Sequence, residues 1–119
     1  VIPRNKILMG IPLYGRDWKL PYVAGTTIAE TVSYKEAIRR ALKYGVDIQY
    51  NTLYQSPFYK YRDEAGAEHE VWYDDARSYQ AKYDTIKEYG LRGASYWALN
   101  LQTPPNWPVL VSNFRVVKL

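Results

Sequence analysis

The chain has 119 residues and no cysteine, which suits one modest domain and excludes disulfides and thiolate metal sites. Its net charge of +4 comes from 16 basic residues interspersed with 12 acidic ones, so the clustered basic footprint of a nucleic-acid binder is missing. No apolar run approaches the ~20 residues of a membrane span, and a 47% hydrophobic content with 13 Tyr and 4 Trp supports a packed core with half-buried aromatic rims.

Lys6 to Tyr14 is apolar at odd and even positions alike, the pattern of a strand covered on both faces in a parallel sheet. Pro12 lacks an N–H and predicts a bulge or a loss of pairing there, and Gly15 ends the strand. Residues 17 to 32 have no clear period and read as loops and short strands. Ser33-Tyr34-Lys35-Glu36 is a capping-box pattern. It opens a helix with Ala37, Ile38, Ala41 and Leu42 on its apolar side and Gly45 as its stop.

Val46 to Tyr50 reads as a short strand. Ser56 to Tyr61 and Glu68 to Tyr73 are aromatic-rich runs around the polar segment Asp63-Glu64-Ala65-Gly66-Ala67, which predicts a β-hairpin. Asp74 or Asp75 caps the next helix, which runs to about Tyr89 with Tyr79, Tyr83 and Ile86 inward and Gly90 as terminator. Leu91 to Leu99 is a second doubly apolar strand. Asn106 to Val111 reads as loop or short helix, and Phe114 to Val117 as a last short strand. A helix between two buried strands predicts a βαβ unit with parallel neighbours, and the excursion between them leaves from the first strand's C-terminal end.

In parallel α/β folds, residues just past the C-terminal ends of strands point into the site. Here these are Tyr14, Gly15, Arg16 and Trp18, then Trp97, Asn100 and Gln102. An aromatic floor beside a guanidinium and amides suits a sugar, whose C–H face lies on the ring while its hydroxyls take hydrogen bonds. The competing reading makes Trp97 plain core and Arg16 half of a surface ion pair. Asp74 and Asp75 are adjacent and point to opposite faces, which suits helix capping better than joint action on one bond. His69, the only histidine, lies near the hairpin turn and reads as a solvated or edge-strand residue. No Gly-x-Ser-x-Gly context or phosphate loop is present.

Three segments carry a family resemblance. Lys6-Ile7-Leu8-Met9-Gly10-Ile11-Pro12-Leu13-Tyr14-Gly15-Arg16-Asp17-Trp18 resembles the seventh barrel strand of glycoside hydrolase family 18. Val71 to Ser78 resembles the segment leading into that family's seventh helix, and Gly90 to Asn100 its eighth strand with the W-x-[LM]-[DN] pattern. Gln55-Ser56-Pro57-Phe58 and the Gly66, His69 and Val71-Trp72 positions are similar to the family's spore-associated branch, its cortex-lytic and germination N-acetylglucosaminidases.

The resemblance implies an α/β fold, namely the C-terminal portion of a (β/α)8 TIM barrel holding strands 7 and 8 with helix 7 and an α+β insertion subdomain. The expected division is 1–16 for strand 7, 17–74 for the insertion, and 75–119 for helix 7, strand 8 and the C-terminal segment. It implies retaining, substrate-assisted hydrolysis of β-1,4-linked N-acetylglucosamine glycans such as chitin or spore peptidoglycan, in which the substrate's acetamide is the nucleophile and one glutamate the acid/base. That glutamate ends an Asp-x-x-Asp-x-Asp-x-Glu motif, which these residues do not contain. Val1 in place of Met reads as the interior of a longer protein, and the chain is far short of the roughly 250 residues of a full barrel.

What carries over is substrate contact without a catalytic residue: Trp97 as the floor under the sugar, Tyr14 and Arg16 beside it, Trp72 and Asp74 on the insertion wall, and Asn100 after the eighth strand. No cofactor or metal is implied. The isolated chain is expected to be inactive, with a non-catalytic carbohydrate-binding or structural module as the alternative. Homo-oligomers or strand exchange through exposed sheet edges are expected, and a bacterial spore or cell-envelope location is suggested. Asn51 stands where the branch has Asp, and Asn100-Leu101-Gln102 replaces an acidic pair found in many chitinases.

Overall fold

The computed structural model describes residues 1–101 and 103–117; Gln102, one of the strand-end positions named above, lies outside them. After a 3-10 turn at Arg4–Lys6, strand β1 (Leu8–Pro12) pairs in parallel with β7 (Gly93–Trp97), with Gly10 opposite Ser95 and Pro12 opposite Trp97. Pro12 keeps its pairing with Trp97, so the bulge or loss of pairing expected there does not occur: the bond at this end of the pair is donated by the Leu13 amide to the Trp97 carbonyl at 2.7 Å and needs no N–H from Pro12. The long helix between them, α2 (Ala76–Tyr89), packs on one face of this pair with α3 (Asn106–Asn113). Its inward residues are those expected: Tyr79, Tyr83 and Ile86 are buried against Ile11 and Leu13.

Double coverage does not hold. Met9, Ile11, Leu13, Ala94 and Tyr96 face the helices, whereas Leu8, Gly10, Ser95 and Trp97 are exposed on the other face. The pattern of a strand apolar on both sides is present, but among the described residues only one side has a covering layer.

The chain then crosses into a second sheet of five antiparallel strands, ordered β3-β2-β6-β5-β4. Its strands are β2 (Gly15–Lys19), β3 (Glu30–Val32), β4 (Gln49–Asn51), β5 (Ser56–Arg62) and β6 (Glu68–Trp72). Gly15 is the joint. A Cβ there would lie 2.8 Å from both the Trp72 carbonyl oxygen and the Tyr73 Cβ, so only glycine lets β2 lie this close to β6. Arg16 therefore begins no barrel loop; it sits in β2, opposite Thr31 and Trp72.

Helix α1 (Tyr34–Lys43) covers one face of this sheet, and Ala37 and Ala41 pack on Val32, Tyr59, Tyr61, Val71 and Tyr73. Small residues on the helix leave room for the tyrosine layer beneath it. Ile38 packs on the cluster as expected, but Leu42, expected on the same apolar side, is 78% exposed. The capping box is half made. The Ser33 hydroxyl accepts from the Glu36 amide at 3.1 Å, while the Glu36 carboxylate turns to Arg39 and Arg40, because two charged donors on the next turn outcompete one backbone N–H.

The hairpin forms as expected from β5 and β6, with Phe58 opposite Trp72 and Arg62 opposite Glu68. Val46 packs on the α1 cluster and the short strand begins only at Gln49. Asp75 is the helix cap: its side chain accepts from the Arg77 and Ser78 amides, and the Ser78 hydroxyl accepts from the Asp75 amide at 2.8 Å. Gly90 ends α2 at φ 62°. Phe114 to Val117 forms no strand; Phe114 packs edge-on to Tyr83 at 5.3 Å.

Candidate functional site

The uncovered face of the parallel pair holds a cleft of about 300 Å³ lined by Gly10, Ile11, Pro12, Tyr14, Ser95, Tyr96 and Trp97. The register explains it. Residues paired across parallel strands share a face, so Gly10/Ser95 and Pro12/Trp97 form its floor, and Tyr14 closes the C-terminal end. Trp97 is 72% exposed and is therefore not core. Its peptide bond to Ala98 is cis. Gly10 and Ser95 were not singled out from sequence; the two-residue period and the pairing of the two strands would have found them.

Arg16 does not line the cleft; it lies on the second sheet, beside Tyr14. Its guanidinium lies 4.7 Å from the Tyr14 ring centroid and donates to the Thr31 hydroxyl. Among the described residues it has no carboxylate partner, so the ion-pair reading of Arg16 fails. Trp72 is directly across from Arg16 and shares its face, away from α1. Its indole stacks on Phe58 at 4.6 Å, meets Tyr54 edge-on at 5.9 Å, and donates to Glu70 at 2.9 Å. Tyr14, Arg16 and Trp97 are thus brought together, with Trp72 next in line along the sheet.

Asp74 is elsewhere. It is buried and ion-paired with Lys82 of α2, which commits its charge to holding the helix. Asn100 is exposed in the turn after β7, closed by the Leu101 amide donating to the Ala98 carbonyl, and does not line the cleft.

His69 is neither solvated nor on an edge strand. Strand β6 lies between β2 and β5, and the ring is half-buried, stacked on Tyr61 at 4.7 Å. Its Nδ1 is 2.7 Å from the Asp17 carboxylate and its Nε2 is 2.9 Å from that of Asp63. Asp17 is buried at 3% exposure and also accepts from Arg40 and from the Tyr61 hydroxyl, each at 2.5 Å. Arg40 reaches Glu30 and Glu36 as well. Burial works against charge on His69, but the bonds to Asp63 and Asp17 outweigh it and raise its pKa above the ordinary value. The bond from His69, followed by the Ala67 amide, lowers that of Asp63. The paired guanidiniums of Arg39 and Arg40 pull Glu36 down to about 2. This network joins residues up to 52 positions apart, and no local pattern announced it.

Among the described residues, no helix is long and apolar enough to cross a membrane. The family model "Glycosyl hydrolases family 18" matches residues 1–102. The chain is 52% identical over 117 residues to the cortical fragment-lytic enzyme of Bacillus subtilis (strain 168), covering 98% of this chain and 27% of that protein. It is 32% identical over 116 residues to the di-N-acetylchitobiase of Mus musculus, covering 83% of this chain and 32% of that one. The crystal structure of the Bacillus megaterium QM B1551 spore cortex-lytic enzyme SleL superposes with a TM-score of 0.94 at 50% identity, over 99% of this chain and 28% of that one. The chain thus spans about a quarter to a third of the length of these relatives.

Proposed function

The chain belongs to glycoside hydrolase family 18, and we propose that it contributes the floor and one wall of the sugar cleft in a glycosidase acting on β-1,4-linked N-acetylglucosamine glycans. In this reading β1 and β7 are the seventh and eighth strands of a (β/α)8 barrel and α2 is its seventh helix. The segment 17–74 is an insertion standing over the strand ends, between the barrel pieces 1–16 and 75–119. The free edges of β1 and β7 are where the remaining strands, or a second copy of the chain, would pair.

The observation that carries the proposal is the convergence of Tyr14 and Trp97 on one cleft with Arg16 stacked beside it. An exposed indole face at the end of a parallel strand has no packing partner, and a pyranose ring supplies one. Arg16 then offers N–H donors to hydroxyls or an acetamide oxygen. Asp74 and Asn100 drop out of the contact set, since one is neutralised by Lys82 and the other lies off the cleft. Proton transfer is assigned to a glutamate carried by the Asp-x-x-Asp-x-Asp-x-Glu motif, which these residues do not include.

The names of the relatives, a cortical fragment-lytic enzyme and a di-N-acetylchitobiase, support N-acetylglucosamine-containing glycans as the substrate class and a spore or cell-envelope setting. Titration with N-acetylglucosamine oligomers, read by tryptophan fluorescence and calorimetry, tests the contact role. Binding that Trp97→Ala abolishes is expected. Absence of any heat or fluorescence change at millimolar sugar overturns it, and turnover by the 119-residue chain that survives Trp97→Ala would show that the acid lies within it.

A further inference from the structure

The two faces of the five-stranded sheet do different work. The outer face carries Arg16 and Trp72, directly opposed on β2 and β6. The inner face carries Asp17 and His69 on the same two strands, bonded to each other. We infer that His69, bonded to a carboxylate at each ring nitrogen, is a positioning residue that locks β2 to β6 and so holds Arg16 opposite Trp72 in register. The inference rests on the reading of that pair as part of a glycan wall.

Donor counting gives the charge of the ring. An ionised carboxylate only accepts hydrogen bonds, and a neutral imidazole has one N–H. With Asp17 at Nδ1 and Asp63 at Nε2, only the imidazolium satisfies both contacts. The groups around it favour that state. Asp17 is fed from below by Arg40 and Tyr61, and Glu30 and Glu36 hold Arg40 from its other side. Tyr61 stacks on the ring and on Tyr44, whose hydroxyl donates to Glu64, itself paired with Lys43. Lys19, opposite His69 in register, is exposed. The raised pKa of His69 agrees with this arrangement.

Loss of the proton sets a nitrogen lone pair against a carboxylate and takes the positive charge out of the remaining bond, which keeps its ionised acceptor but loses the attraction between opposite charges. The Asp63 contact is the weaker of the two ends, because that carboxylate is 23% exposed and screened by water, whereas the Asp17 side chain is 1% exposed. Deprotonation therefore frees the ring from the turn and loosens its hold on β2. The wall formed by Arg16 and Trp72 becomes looser as pH rises, while Trp97 on the other sheet is untouched.

The only histidine in the chain makes the test direct. The ring signal is followed by NMR across pH, assigned by its loss in His69→Gln, alongside exchange of the Arg16 amide and affinity for the N-acetylglucosamine tetramer. The expected midpoint lies above the ordinary histidine value and moves down in Asp63→Asn, which removes only the outer charge. The protection of the Arg16 amide, the base-catalysed intrinsic rate divided by its exchange rate, falls together with affinity through the same midpoint, and neither step appears in His69→Gln. A midpoint at or below the ordinary value, or exchange that ignores it, overturns the inference. A raised midpoint tracked by Arg16 exchange, with no sugar bound at any pH, upholds the lock and removes the glycan wall.

Discussion

Beneath α1, the antiparallel sheet buries a tyrosine layer and a carboxylate, and every buried polar side-chain atom described there has a partner; on the parallel pair, one face is packed and the other is open. The edges differ in the same way. The outermost strands of the five-stranded sheet, β3 and β4, are three residues long, which blunts them against further pairing. Strands β1 and β7 each pair on one side only. The one buried side-chain atom without a partner among the described residues, the Asn106 amide nitrogen, belongs to the parallel half. The lesson is that the antiparallel part is closed by its own residues, whereas the parallel part reads as a surface made to be met by something else, and the candidate sugar contacts start from it.

The strongest way to break that comparison is Asp17→Ala. It leaves Arg40, His69 and the Tyr61 hydroxyl without their shared acceptor, and removal of one partner from a buried charge network costs about 3–5 kcal/mol. Denaturant unfolding followed by near-ultraviolet dichroism measures the loss. Hydrogen exchange should place it in β2, β5 and β6, with β1 and β7 less affected; equal loss in both sheets would mean they are one cooperative unit.

Gly15→Ala is expected to act on both halves. The added methyl meets backbone at Trp72 and the Cβ of Tyr73, neither of which can swing aside, so a cost of about 1–3 kcal/mol is expected from overpacking. Because Gly15 sits where the chain passes from one sheet to the other, the Tyr14–Arg16 stack should also shift. Intact sugar binding in a destabilised Gly15→Ala protein would argue that the cleft does not depend on the joint.

Tyr83→Phe is smaller and confined to the parallel half. The Tyr83 hydroxyl donates to the Asn106 side-chain oxygen and lies 2.7 Å from the Tyr96 hydroxyl. Losing it removes about 1 kcal/mol and leaves Asn106 without a partner at either end of its amide. Thermal melts read the change, and exchange in the five-stranded sheet should stay as it was.

The sequence showed the packed half of each layer well. The βαβ unit, the hairpin, the Asp75 cap and the inward set Tyr79, Tyr83 and Ile86 all follow from local periodicity and turn chemistry. Tyr14 and Trp97 were legible because strand-end position is itself local; Arg16 lies inside β2 and meets Tyr14 only because the chain turns at Gly15. The Asp17–His69–Asp63 contacts were not, since they depend on which strands become neighbours, and His69 was misread for that reason. Leu42 was misread because a helix period does not say how wide the buried stripe is, and small residues at Ala37 and Ala41 narrowed it here.

Trp97→Ala should have the smallest effect on stability and the sharpest effect on function. Most of the indole surface is already in water, so truncation removes little buried area and leaves no cavity; a change within about 0.5 kcal/mol is expected. Its carbonyl still accepts from Leu13, so the end of the parallel pair keeps its backbone bond. A melt indistinguishable from the parent, together with lost binding of N-acetylglucosamine oligomers, would separate the open face from the packed one in a single variant. A large destabilisation would instead mean that Trp97 is held by packing, and an exposed ring at a strand end would no longer argue for a sugar.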